Sequence, residues 1–108
     1  MKRILLFLVL STVTLSARAT FQLTVAATAI GFRSADTFRA NQMFCRLETA
    51  EIRYTFDGSL PSATNGFLWE VGEEKTVVNT TNWPQAVQRF QAVRTGSTSG
   101  VLDCAISP

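Results

Sequence analysis

The sequence predicts an all-β protein, a small antiparallel β-sandwich of about seven short strands preceded by an export signal. Three observations carry that expectation. From residue 20 onward apolar and polar residues alternate at period two. The alternating runs recur at about ten-residue spacing, each bounded by Gly, Pro, Asn, Asp or Ser. Helical periodicity is almost absent from the same stretch. A small closed barrel satisfies the same pattern and is the alternative architecture.

The first residues have the three parts of a secretory leader. Lys2 and Arg3 supply the positive start, Ile4 to Leu10 a continuous apolar run, and Ala17-Arg18-Ala19 a small-x-small cleavage site. The apolar run is shorter than the roughly 20 residues a membrane span needs. Cutting is therefore expected after Ala19, leaving one domain over residues 20–108 and no stable membrane span. An uncleaved anchor and a buried N-terminal element are the competing readings.

The strands follow in order. Thr20 to Phe32 is β-rich, with Phe21, Leu23 and Val25 on one face. Arg33 to Gln42 is polar and reads as a loop with a short turn near Asp36. In Met43 to Thr49, Met43, Cys45 and Leu47 point one way and Phe44, Arg46 and Glu48 the other. Glu51 to Asp57 is the cleanest alternation, with Ile52, Tyr54 and Phe56 on the inward face. Asp57-Gly58-Ser59-Leu60-Pro61-Ser62 stops it with turn chemistry. Phe67 to Val71 and Lys75 to Asn79 are two more short strands, and Asn82 to Val87 is a loop or a single helical turn. Phe90 to Arg94 and Val101 to Ile106 form the last pair, with Thr95 to Gly100 as a hairpin loop between them.

Once the leader is removed, seven basic and eight acidic residues remain, so the formal charge of +2 for the whole chain becomes −1. No basic field is left to attract nucleic acid. An exported domain of this size gains from a covalent staple. The two cysteines, Cys45 and Cys104, lie on inward faces and are expected to pair in an oxidising compartment; two buried free thiols are the alternative.

The run Ile52-Arg53-Tyr54-Thr55-Phe56-Asp57-Gly58-Ser59-Leu60-Pro61 resembles the signature of chitobiase C-terminal-like domains. Those are immunoglobulin-like sandwiches appended to secreted and surface proteins. The wider chain is similar to a group of small tailed-phage, virion-associated proteins, through Leu23 to Phe32, the same central strand and turn, and Arg89 to Gly96. The likeness covers most of residues 20–108. It implies an immunoglobulin-like fold and a structural role at a virion or other surface, and it brings no catalytic residue. The leader and the cysteine pair depart from the phage pattern and point to an exported or surface role.

The chain contains no histidine, the commonest general base and metal ligand. It has no nucleophile elbow, Walker loop, dinucleotide-binding turn or EF-hand spacing. No enzyme activity, cofactor or metal is therefore expected. Glu70, Glu73 and Glu74 read as a solvated turn. Asp57 reads as the cap of its turn, with cation binding as the alternative. Trp69, Trp83, Phe44 and Phe67 are the candidate contact aromatics, with core packing the plainer role for Trp69. Trp83 stands in a polar stretch before Pro84, where a large aromatic can anchor a contact. The possible binding surface is thus Trp83, Phe44 and Asp57. A protein partner or self-assembly is the expected use, and a glycan the alternative. Asn79-Thr80-Thr81 matches the glycosylation sequon, a pattern frequent by chance.

Overall fold

The computed structural model describes residues 19–108. The expected leader lies outside the described residues except for Ala19, which opens the first strand. Seven strands are found: β1 (Ala19–Val25), β2 (Gln42–Glu48), β3 (Ile52–Thr55), β4 (Phe67–Trp69), β5 (Glu74–Val78), β6 (Gln91–Arg94) and β7 (Gly100–Ser107). One helical turn, α1 (Ser34–Thr37), precedes β2. All pairings are antiparallel, in a four-stranded sheet ordered β1-β7-β2-β5 and a three-stranded sheet ordered β4-β3-β6. The sandwich expected from the alternation is therefore the fold.

The alternation works because a strand turns successive side chains to opposite faces. In β2, Met43, Cys45 and Leu47 are buried while Gln42, Phe44 and Arg46 are exposed. In β7, Leu102, Cys104 and Ile106 are buried in the same way. With Leu23, Val25 and Val77 they form the inner face of the four-stranded sheet. Ile52, Trp69 and Ala92 supply the opposing face, and Ala86, Val87 and Phe90 enter the same core from the segment before β6. Cys45 and Cys104 stand directly opposite each other in the β2–β7 ladder and form a disulfide, 59 residues apart in sequence. The bond joins neighbouring strands of one sheet.

Two expectations from the pattern are corrected. Thr95 to Gly100 is not a hairpin loop, because β6 and β7 lie in different sheets and the segment crosses between them. β7 is the longest strand and finds two long partners, β1 and β2, in the middle of the larger sheet. Their combined ladders outweigh pairing with its short sequence neighbour. The inward face of residues 52–56 is also incomplete. Ile52 is buried, but Tyr54 and Phe56 are only half-buried, and Thr55 on the opposite face is buried instead. β3 ends at Thr55, whose hydroxyl donates to the Ser59 carbonyl at 2.6 Å. Beyond that point no strand alternation constrains Phe56.

The β-rich run from residue 20 likewise divides. β1 stops at Val25, and residues 26–33 cross to the other sheet. There Ile30 and Ala92 exchange both backbone hydrogen bonds, at 2.9 and 2.8 Å, and the Arg94 N–H donates to the Ala26 carbonyl at 2.9 Å. The crossing is tight: a Cβ on Gly31 would stand 2.2 Å from the Phe90 carbonyl oxygen. One long side of the sandwich is thereby closed by the chain itself.

Candidate functional site

The opposite long side is built differently. Among the described residues β5 is an edge strand, with β2 on one side and no strand on the other. Across the gap stand β4 and the end of β3. Beyond the turn at residues 70–73, side chains fill most of this gap, with the backbone of residues 80–83 at its far end. They leave an apolar cleft of about 300 Å³, floored by Tyr54 and Phe56, walled on one side by Thr76 and Val78 and on the other by Trp83 and Ala86.

The aromatic rings form a connected group. Tyr54 is 5.3 Å from Trp69, 5.7 Å from Phe90 and 5.6 Å from Phe67, centroid to centroid. Phe56 stacks on Phe67 at 5.7 Å and 11°, and meets Trp83 edge-on at 5.4 Å and 89°. These separations are those of favourable aromatic pairs. The group runs from core to solvent. Trp69 is fully buried, whereas Phe67 and Trp83 retain 57% and 46% of their surface exposed. Burial raises the pKa of the Tyr54 hydroxyl above its ordinary value, and the nearby Glu73 carboxylate adds to the effect.

Trp83 is held by its backbone and by a polar pin behind it. The Trp83 N–H donates to the Thr80 hydroxyl at 3.1 Å, and the Thr80 N–H donates back to the Trp83 carbonyl at 3.0 Å. The pin is Asn79. Its amide nitrogen donates to the Ala40 carbonyl and to Gln88 Oε1, and its oxygen accepts from the Val87 N–H at 2.9 Å. Gln88 in turn donates to the carbonyls of Thr37 and Ala40. The segment 80–90 is thus tied to the segment before β2. The amide nitrogen of the Asn79 sequon is half-buried and already engaged, so attachment of a glycan there requires these bonds to break.

Asp57 caps its turn. Its Oδ1 accepts from the Ser59 hydroxyl at 2.6 Å and from the Ser59 N–H at 3.0 Å. The Ser59 hydroxyl, then the Ser59 N–H and more weakly Arg89, hold the carboxyl below the usual aspartate range. Gly58 adopts φ +94°, the left-handed conformation such a turn favours in glycine. Arg53 straps the following loop by donating to the carbonyls of Ala63 and Gly66 at 3.1 and 2.9 Å.

Of the three residues singled out as a binding surface, the fold brings two together. Trp83 and the Asp57 turn both flank Phe56, with Arg89 beside them. Phe44 is 47% exposed on the outer face of the four-stranded sheet and does not line the cleft. The sequence pattern placed Tyr54 and Phe56 in the core, so it missed the cleft floor. The early stop signal at Asp57-Gly58 was the one hint that the second half of that strand could lie open. A smaller recess of about 160 Å³ lies on the other side of Trp83, edged by Asn82, Gln85 and Arg89. Among the described residues no group of three or more His, Cys, Asp or Glu is placed to hold a metal ion, and no helix is long and apolar enough to cross a membrane.

Comparison with family models, with curated proteins and with solved structures gave no match.

Proposed function

We propose that this chain is a non-catalytic interaction domain, exported to an oxidising compartment, that docks on a protein surface through the aromatic cleft between β5 and β3. The observation that carries this reading is the apolar cleft lined by Tyr54, Phe56, Val78 and Trp83, at which Trp83 and Phe67, stacked on Phe56, remain about half exposed. A contiguous apolar patch on a small domain marks a contact site, and tryptophan and tyrosine are the residue types that dominate such contacts. The Cys45–Cys104 disulfide is consistent with a compartment outside the cytoplasm. The resemblance to small virion-associated proteins suggests that the partner surface belongs to a particle or a cell exterior.

The test is photo-crosslinking from position 83 in purified particles and surface fractions, read by mass spectrometry. The expected result is a single cross-linked polypeptide species, lost when Thr76 or Val78 is replaced by aspartate. Recovery of the protein only as an uncross-linked free monomer would overturn the reading.

A glycan partner is supported by one feature, the recess edged by Asn82, Gln85 and Arg89 beside the Trp83 ring, since sugars take an aromatic face together with amide and guanidinium donors. The main cleft favours protein, because its lining offers hydroxyls but no charged or amide side chain. A glycan array with Trp83→Ala as control separates the two. Binding that the substitution abolishes selects the glycan.

A further inference from the structure

Resting on the cleft reading above, the edge of β5 goes one step further and names the partner. The backbone phase of β5 follows from its flanks. The Leu47 N–H donates to the Glu73 carbonyl at 3.2 Å, and the Asn79 N–H donates to the Asn41 carbonyl at 2.9 Å. In an antiparallel ladder the backbone groups of alternate residues turn to opposite sides. With Met43 opposite Val77 and Cys45 opposite Lys75, the odd-numbered residues of β5 therefore bond to β2. The N–H and C=O groups of Glu74, Thr76 and Val78 point away from β2, along an edge that no strand among the described residues covers. Such an edge is a template for another strand. The side chains of Lys75 and Val77 share the inner face, and Val77 is buried while the Lys75 ammonium reaches to 6.0 Å from the centre of the Trp69 ring.

A second copy of β5 fits this edge in one register. Antiparallel pairing about a two-fold axis at Thr76 sets Thr76 against Thr76, and Glu74 against Val78 in both directions. Every free residue of one edge then meets a free residue of the other, each pair exchanging two backbone bonds. An axis at Lys75 stacks two ammonium groups. An axis at Val77 sets Glu74 against Thr80, whose N–H is already given to the Trp83 carbonyl. The Thr76 register also sets Lys75 of the second copy opposite Val77, at the mouth of the cleft lined by Tyr54, Phe56 and Trp83. A cation brought over aromatic faces is attracted to them, more strongly as water is excluded. A threonine pair at the axis is itself a favourable cross-strand contact.

We infer that two copies of this chain pair edge to edge through β5, antiparallel about Thr76, with Lys75 of each copy seated in the aromatic cleft of the other. The interface is isologous, so it closes at two copies. Sedimentation equilibrium of the purified, disulfide-bonded protein tests it. The expected result is a dimer that Thr76→Pro weakens at least ~10-fold, because proline removes an N–H that points to the partner and none that points to β2. Lys75→Glu is expected to weaken it to a similar degree and Lys75→Arg to preserve it, with unchanged circular dichroism in all three. A monomer up to about 1 mM overturns the pairing. So does a dimer indifferent to both Thr76→Pro and Lys75→Glu. If a monomer still cross-links to a different polypeptide from position 83, self-pairing alone has failed and the protein-docking reading stands.

Discussion

On the side where β1 meets β6 the chain itself crosses between the sheets, whereas on the side where β5 faces β4 mainly side chains fill the gap. The first side is sealed by backbone bonds of Ile30 with Ala92 and of Arg94 with Ala26, and it leaves no room for even a methyl group at Gly31. The second is filled by Tyr54, Phe56 and Trp83, which pack imperfectly and leave a cleft. Backbone hydrogen bonds are saturated and offer nothing to a partner. Aromatic side chains that close a gap only in part still have surface to bury. The difference teaches that one side of this sandwich holds the fold together, while the other has both an apolar recess and an unpaired strand edge available for contact.

Five variants, the last read against pH, test that contrast. The largest effect is expected from replacing Cys45 and Cys104 together by alanine. Both sides rest on the β2–β7 ladder that the disulfide joins, and releasing a closed loop of 59 residues costs about 4 kcal/mol in the chain-entropy account. Urea unfolding followed by circular dichroism measures it, and a loss under about 1 kcal/mol would mean that the ladder alone holds both sides.

Gly31→Ala comes next. Its new methyl group must displace the Phe90 carbonyl, and overpacking of this kind costs about 3 kcal/mol. Trp83→Ala on the open side is expected to cost about 2 kcal/mol, since the half-exposed ring loses its edge-on contact with Phe56 and part of its apolar burial. Equal losses in the two variants would erase the distinction between a structural and a working side.

Asn79→Ala is expected to cost about 2 kcal/mol, because the Val87 N–H and Gln88 lose partners in a half-buried setting. It also frees the segment that carries Trp83. A red shift of tryptophan emission without global unfolding is the signature, because Trp69 is fully buried and fixed in the core. No shift would show that Trp83 is positioned independently of the pin.

The smallest effect concerns acid. The folded-state pKa of Asp57 lies below its unfolded value of about 3.9. The turn it caps therefore contributes full stability above that value and loses it as pH falls through the lower, folded one. Melting temperature plotted against pH should fall less steeply in Asp57→Asn across that acid window. An unchanged slope would show that the Ser59 contacts are too solvated to matter.

The sequence alone determined the class of the fold and most of its interior. The inward sets Met43, Cys45, Leu47 and Leu102, Cys104, Ile106 were legible because a strand has a fixed two-residue period, and polarity at each position reports the face. The pairing of Cys45 with Cys104 was legible as an expectation for the same reason, since both fall on those inward sets. The exposed position of Phe44 followed from the same alternation, whereas Trp83 was singled out only by its polar stretch before Pro84. Which strand neighbours which was decided only in three dimensions. The pattern assigned β6 and β7 to one hairpin, and the tertiary structure separated them because pairing depends on the summed ladders of distant segments. The cleft was decided there too. Tyr54 and Phe56 carry the hydrophobicity of core residues, and only the end of β3 at Thr55 and the meeting of Phe56, Phe67 and Trp83 across the open side left them facing solvent. Period and polarity are local properties that a sequence displays directly, whereas a gap between two sheets is a shortfall of packing that exists only once all its walls have assembled.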